Sequence, residues 1–181
     1  KAEDLGPRAR QASARQGMKA MIDPSTLPPG LPIPRDDGAA DHLRGAAIPD
    51  LTLCATDGTA VSLARLTGRT VIYVYPRTAQ PGQPPLTPDW DAIPGARGCT
   101  PQSCSFRDHY AELKAHGVAN LFGLSTQRTD YQREMAERLH LPLPILSDHR
   151  MTLTAALRLP TFEAGGLVLL KRLTLVIDEG R

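Results

Sequence analysis

Cys99 and Cys104, two of the three cysteines in this 181-residue chain, lie five positions apart, and their thiols are the groups whose type and spacing offer chemistry. Cys99 falls where a Gly/Pro-rich stretch meets a helical pattern, followed by Thr100 and by Pro101, a residue suited to an early helical position. Unpaired N–H groups and the positive dipole end at a helix start favour thiolate over thiol, and the thiolate is the nucleophile. A thiolate that attacks an O–O bond becomes a sulfenic acid, which a second thiol converts to a disulfide. Cys104 is the natural second thiol. On one intact helix the two would stand about 140° apart around the axis, with Cα atoms about 8–9 Å apart. A disulfide tolerates at most roughly 7 Å, so the spacing predicts unwinding around residues 99–104 in each cycle.

Other readings of the cysteines compete. Both could be ordinary buried, small apolar residues. A zinc site calls for four ligands, commonly with C-x₂-C spacing, and no histidine stands in a companion motif: His42, His109, His116, His140 and His149 read as solvated surface residues. Cys54 reads as a buried strand residue. Three cysteines are too few and too unevenly placed for a secreted disulfide framework. The sulfur chemistry calls for no cofactor and no metal.

The elements that must position these thiols follow from composition and pattern. A chain of this length with 41% apolar residues suits one domain with a real core. Residues 1–20 carry five basic side chains against two acidic ones, which leaves sixteen basic and seventeen acidic side chains elsewhere, a balance of −1. A nucleic-acid footprint needs basic groups gathered on a folded surface, so nucleic-acid binding is not expected. No apolar run approaches the roughly 18 residues of a membrane span, and the N-terminus lacks the apolar stretch of a secretory signal. The expectation is a soluble, cytoplasmic protein. Residues 1–47, Pro/Gly-rich from Asp23, read as a flexible extension or an expression remnant, and 48–181 as the domain.

Ile48 to Leu53, Asp57-Gly58 and Ala60 to Leu63 read as a hairpin, since Asp-Gly suits a tight turn. Thr70 to Tyr75 (TVIYVY), closed by Pro76, is a short β-branched and aromatic run typical of a buried strand. The 22 residues from Arg77 to Gly98 hold five prolines and three glycines, so no regular element is expected there. From Thr100, Phe106, Tyr110 and Leu113 recur with helical spacing until Gly117. Strands follow at Ala119–Leu124, Leu143–Leu146 and Leu173–Ile177, with helices around Tyr131–Leu139 and Met151–Leu159. Strand and helix alternate, which implies an α/β sheet with helices on both faces. The last strand runs into Asp178-Glu179-Gly180, and only Arg181 remains to follow it. It therefore lacks the partner expected beyond that turn, and the sequence reads as truncated.

The stretch Gly98-Cys99-Thr100-Pro101-Gln102-Ser103-Cys104-Ser105-Phe106-Arg107-Asp108, preceded by Tyr75-Pro76, resembles the Q-type peroxiredoxins, or bacterioferritin comigratory proteins. Gly123-Leu124-Ser125-Thr126, Leu146-Ser147-Asp148 and Arg172-Leu173-Thr174-Leu175-Val176-Ile177-Asp178 are similar to further family motifs, so the resemblance runs from about Ile48 to Arg181. It implies a thioredoxin-like fold, with a central mixed sheet flanked by helices and the Pro/Gly-rich loop inserted before the catalytic helix. It also implies Cys99 as peroxidatic and Cys104 as resolving cysteine, joined by an intramolecular disulfide. The implied partners are a hydroperoxide, hydrogen peroxide or organic, and thioredoxin or a similar dithiol reductant, in a monomer or weak dimer. By the same resemblance Arg172 sits beside the thiolate; a fixed cation there would stabilise developing charge.

Two departures stand out. The family's loop runs Pro, three residues, Thr, two residues, Cys, whereas Pro76 precedes Cys99 by 23 positions and position 96 is Ala. Thr78 or Thr87 folding back, or a Ser or Thr from elsewhere, would supply the missing hydroxyl; without one, a slow peroxidase is expected. The inserted loop, with Trp90, reads as a lid, a partner surface or anchored packing. Two non-peroxidase readings remain. A copper- or disulfide-handling module typically has two or three residues between its cysteines, against four here; a redox sensor would signal through the unwound helix.

Overall fold

The computed structural model describes residues 27–181, so the first 26 residues of the expected extension lie outside the described residues. The strand expected from the TVIYVY run is β3 (Arg69–Val74). Its side chains alternate between the two faces, as a strand's period of two requires. Val71, Tyr73 and the following Tyr75 enter one buried cluster, and Ile72 and Val74 the other. The same alternation recurs on its neighbours β4 (Val118–Ser125) and β5 (Ile145–Ser147), where Leu121 and Ile145 face the first cluster and Leu124 and Leu146 the second.

β3, β4 and β5 pair in parallel and form the centre of a six-stranded mixed sheet ordered β2-β1-β5-β4-β3-β8. The expected hairpin is β1 (Thr52–Ala55) and β2 (Ala60–Ser62). Asp57 fixes its turn by accepting from the Thr59 N–H at 2.9 Å and hydroxyl at 2.7 Å. Gly58 takes φ +90°, which glycine tolerates at no steric cost. Cys54 is not buried: on β1 it alternates with the inward-facing Leu53 and Ala55 and therefore points to solvent. β8 (Leu173–Ile177) pairs antiparallel with β3 along all five residues and forms an edge of the sheet.

Among the described residues, four α-helices complete the layers: α1 (Cys99–Asp108), α2 (Tyr110–Ala115), α3 (Thr129–Arg138) and α4 (Thr152–Leu157). The first three supply Cys99, Cys104, Phe106, Tyr110, Leu113 and Met135 to the cluster around Tyr73, while α4 covers the opposite face with Leu153 and Leu157. The single helix expected up to Gly117 is broken at His109, which leaves helical geometry at φ −97°, ψ 10° while its ring donates to the Ser105 carbonyl at 2.8 Å. Gly117, at φ +87°, closes the second piece. α4 is held by the buried Asp148 carboxylate, which accepts from the backbone N–H groups of Leu153 (3.1 Å) and Thr154 (2.8 Å) and from both threonine hydroxyls nearby. All five histidines are exposed.

A two-stranded hairpin, β6 (Thr161–Ala164) and β7 (Leu167–Leu170), stands apart from the main sheet and was not expected from the sequence. Its turn, Gly165-Gly166, has φ +56° and +73°, a two-residue link of the kind that joins tight hairpins. The inserted loop 77–98 is irregular apart from one 3₁₀ turn at Trp90–Ala92, and the Trp90 side chain is buried against Phe162, Ala164 and Leu169 of the hairpin. Trp90 is thus anchored packing. Upstream, His42 donates to the Leu157 carbonyl at 2.9 Å and Leu43 packs on the core, so this stretch of the extension lies against the domain.

Gly123 on β4 seats the central tyrosine: a Cβ there would stand 2.6 Å from Ile145 Cδ1 and 2.8 Å from Tyr73 Cζ and Oη. Neither neighbour is free to withdraw, because both are fully buried. Gly123→Ala is therefore expected to lower stability by about 1–3 kcal/mol through overpacking. Urea denaturation checks this, and an unchanged midpoint at unchanged slope would contradict it.

Candidate active site

The site is assembled at the first residue of α1. Gly98, at φ +107°, turns the chain from the inserted loop into the helix. Cys99 follows, 3% exposed, at the helix start that the Gly/Pro-to-helix boundary predicted. The Ala96 carbonyl lies 3.6 Å from its Sγ and accepts from the thiol. Arg172, in the two-residue link between β7 and β8, reaches the same sulfur: its Nη2 donates to Sγ at 3.3 Å. The guanidinium is held there by the carbonyls of Gly95 (3.0 Å) and Arg97 (3.2 Å) and by Gln102 Oε1 on α1. A planar cation with five fixed donors suits such a multiply anchored position. The adjacent Lys171 instead makes a partly exposed ion pair with Asp37.

Cys104 lies on the same helix and in the same buried cluster as Cys99, and no disulfide joins them. α1 is continuous from Cys99 to Asp108. The two thiols therefore sit on one intact helix, at the roughly 8–9 Å Cα spacing that helical rise and radius impose.

The hydroxyl expected near the sulfur is not there. Ala96 is fully buried, and among the described residues no hydroxyl is hydrogen-bonded to Cys99 Sγ. Thr78 does reach the cleft that opens over Cys99, but its hydroxyl donates to Gln127 Oε1 at 3.2 Å. Thr87 lies outside that cleft, against Gly165, with its hydroxyl buried and unpartnered. The cleft, ≈ 850 Å³, has one wall made by the inserted loop, including Pro81, Pro84, Leu86 and Trp90. Arg77 begins that wall, its guanidinium 5.5 Å from the Tyr131 ring centroid on α3.

Several motif residues prove to be supports for α1. Phe106 stacks on Tyr73 with ring centroids 4.4 Å apart. Arg107 donates to the Leu139 carbonyl at 2.9 Å and ties α1 to the end of α3. Ser125 accepts from Gln132 Nε2 at 2.8 Å, and Ser147 donates to the Gln127 carbonyl at 2.7 Å. Gln102, Ser103 and Tyr73 went unremarked in the sequence. The first two look like spacers between the cysteines, and Tyr73 like ordinary strand filling.

With this geometry in place, the molecule is a thioredoxin-fold protein built around a thiol at a helix start. The chain belongs to the Redoxin family, whose profile matches residues 43–181. It is similar to peroxiredoxin Q, chloroplastic, of Oryza sativa subsp. japonica, with 36% identity over 106 residues that cover 58% of this chain and 41% of the relative. It is likewise similar to peroxiredoxin bcp1 of Schizosaccharomyces pombe, with 31% identity over 134 residues, 72% of this chain and 60% of the relative. The chain spans about half the length of the curated relatives it matches. Among solved structures, peroxidoxin BcpB from Mycobacterium tuberculosis superposes with a TM-score of 0.58 at 27% identity, covering 75% of this chain and 79% of that one. Peroxiredoxin Q of Xanthomonas campestris shares the fold, with a TM-score of 0.55 at 20% identity, covering 83% and 80%. No helix among the described residues is long and apolar enough to cross a membrane.

Burial pushes the hydroxyls of Tyr73 and Tyr75 well above the ordinary tyrosine range, and the nearby thiols push the same way. Both phenols are therefore held neutral beside the site. A raised folded value means that their contribution to stability is intact below the unfolded value of about 10 and is lost as pH climbs above it. In an alkaline titration the tyrosinate absorbance of these two residues is expected to rise together with the loss of far-ultraviolet circular dichroism. Ionisation of both near pH 10 with the fold intact would contradict this.

Proposed function

We propose that the chain is a thiol-dependent peroxidase in which the Cys99 thiolate attacks the terminal oxygen of a hydroperoxide. The O–O bond breaks, the sulfur is oxidised to sulfenic acid, and the alcohol or water leaves with the proton. The Cys104 thiol then attacks the sulfenic sulfur, forming the Cys99–Cys104 disulfide and releasing water. Thioredoxin or a similar dithiol protein returns both sulfurs to thiols and is itself oxidised. The observation that carries this reading is the Arg172 guanidinium at 3.3 Å from a sulfur that also sits at a helix N-terminus. Both features favour the thiolate and stabilise charge on the departing oxygen. Membership of the Redoxin family and similarity to peroxiredoxins Q support it.

The cleft over Cys99 has room for organic hydroperoxides as well as hydrogen peroxide, and Pro81, Pro84, Leu86 and Trp90 of the mixed loop wall suit an alkyl or aryl body. Residues 48–181 carry the activity in this reading, residues 1–47 are an extension, and the setting is cytoplasmic.

Stopped-flow mixing of the reduced protein with hydrogen peroxide or cumene hydroperoxide tests the reading, following thiol loss and the emission of Trp90, the single tryptophan. Oxidation of Cys99 no faster than that of a free thiol would sink it. Removing the guanidinium by Arg172→Met is expected to slow the attack by about 10²–10³-fold, the usual loss for a transition-state donor. Cys104→Ser is expected to trap the sulfenic acid on Cys99, detected by dimedone labelling. Unchanged turnover with thioredoxin in that variant would remove Cys104 from the cycle.

A further inference from the structure

Inside α1 a second set of contacts leaves the sulfur atoms alone and grips the backbone between them. Ser103, fully buried, donates its hydroxyl to the Cys99 carbonyl at 3.0 Å, across the first helical turn. Its Oγ in turn accepts from the Tyr73 hydroxyl at 3.3 Å. The Tyr73 hydroxyl donates to Ser103, and the ring that carries it is packed from three sides. Phe106 stacks on its ring at 4.4 Å, Tyr75 lies 6.0 Å away, and the Gly123 backbone closes the third side. Ser103 cannot leave this arrangement without stranding the Tyr73 hydroxyl in the core.

Leaving is what the second chemical step requires. About 8–9 Å between Cα atoms on an intact helix must shrink below roughly 7 Å before the disulfide closes. The turn from Cys99 to Ser103 has to open, and the Cys99 carbonyl then loses both the Ser103 N–H and the Ser103 hydroxyl. A buried hydroxyl left without its partner is expensive, so these contacts weight the equilibrium toward the closed helix. Neither hydroxyl is bonded to Cys99 Sγ or to Arg172, so no hydrogen bond to the attacking sulfur is lost when either is removed.

We propose that Tyr73 and Ser103 are positioning residues that latch the first turn of α1 and set the rate at which the oxidised Cys99 is released to Cys104. This rests on the reading of Cys99 as the attacking and Cys104 as the resolving thiol. The latch also governs a competition. While the turn stays closed, a second hydroperoxide can oxidise the sulfenic acid to sulfinic acid, giving up its own O–O bond and leaving as alcohol or water. A tighter latch gives more of that irreversible product per cycle.

The test uses the full chain carrying Tyr73→Phe, Ser103→Ala or both, each of which deletes one oxygen and, in the first, keeps the ring stack. Sulfenic acid formation is read by stopped-flow thiol loss, disulfide formation by acid quench and mass spectrometry, and sulfinic acid by the same spectra. The sulfenic step is expected to stay within about twofold of the parent. Disulfide formation is expected to speed up by about three- to tenfold, the equivalent of one hydrogen bond of about 1 kcal/mol. The sulfinic fraction is expected to fall in step, and the double variant to match the singles, because the two residues form one chain of contacts. Disulfide rates unchanged in both single variants, with sulfenic acid still forming, would overturn the latch and leave the peroxidase reading standing. No sulfenic acid in the parent protein would overturn both. Amide hydrogen exchange of the reduced protein gives a readout independent of turnover: the Ser103 and Cys104 amides are expected to lose protection by the same factor in Tyr73→Phe, and unaltered protection would count against the latch.

Discussion

A half-buried contact between a cation and a sulfur governs the design of this molecule. Arg172 reaches Cys99 at 3.3 Å from a link between two strands far along the chain, and the planar guanidinium offers further donors that fix its position beside the sulfur. The carbonyls of Gly95 and Arg97 and the side chain of Gln102 do this. The end of the inserted loop, the first turn of α1 and the β7–β8 link are thereby drawn to one point. Displacing any of the three would remove some of the bonds that hold the guanidinium at the sulfur, so the site is built as a unit.

The strand beneath that point supplies the rigid floor. β3 is buried on both faces, and the face carrying Val71, Tyr73 and Tyr75 is the surface on which α1 rests. Tyrosines in this position give the floor a polar edge: the rings pack as core, while their hydroxyls lie close to the helix that bears the thiols. Gly123 makes room for the Tyr73 ring, and Phe106 covers it. Much of what reads as family signature in the sequence turns out to hold α1 in place: Phe106 and Arg107 secure its far end, and Ser125 and Ser147 brace the strand ends and the loops after them.

The inserted loop is fixed by two attachments. Trp90 buries its ring against the β6–β7 hairpin, and near Pro76 the backbone of Thr78 donates to Gln127 Oε1 at 2.9 Å while Gln80 donates to the Tyr131 hydroxyl at 3.2 Å. A segment with five prolines has few backbone donors and little conformational freedom to lose, so two anchors hold it as a wall over Cys99. The wall stands where the resemblance implied a short loop and a hydroxyl near the sulfur, and among the described residues no hydroxyl is hydrogen-bonded to Cys99 Sγ. Cys99 is left with Arg172 and the helix start as its electrostatic support.

Local pattern alone determined the alternating α/β order, the buried strand at TVIYVY, the Asp-Gly hairpin and the placing of Cys99 at a helix start. Each of these depends on residues within a turn or two of one another. The sequence also carried the β6–β7 hairpin in its Gly165-Gly166 pair, but as a signal too short to stand out beside the helix preceding it. Only the tertiary structure decided that Cys54 faces solvent, that β8 pairs with β3, and that Trp90 anchors the loop on a distant hairpin. Arg172 was assigned to Cys99 by resemblance. Its geometry, and the partnership of Tyr73 with Ser103, come from the order in which the strands assemble. Those contacts join residues 73 and 30 positions apart, and separations of that size leave no periodic trace in a sequence.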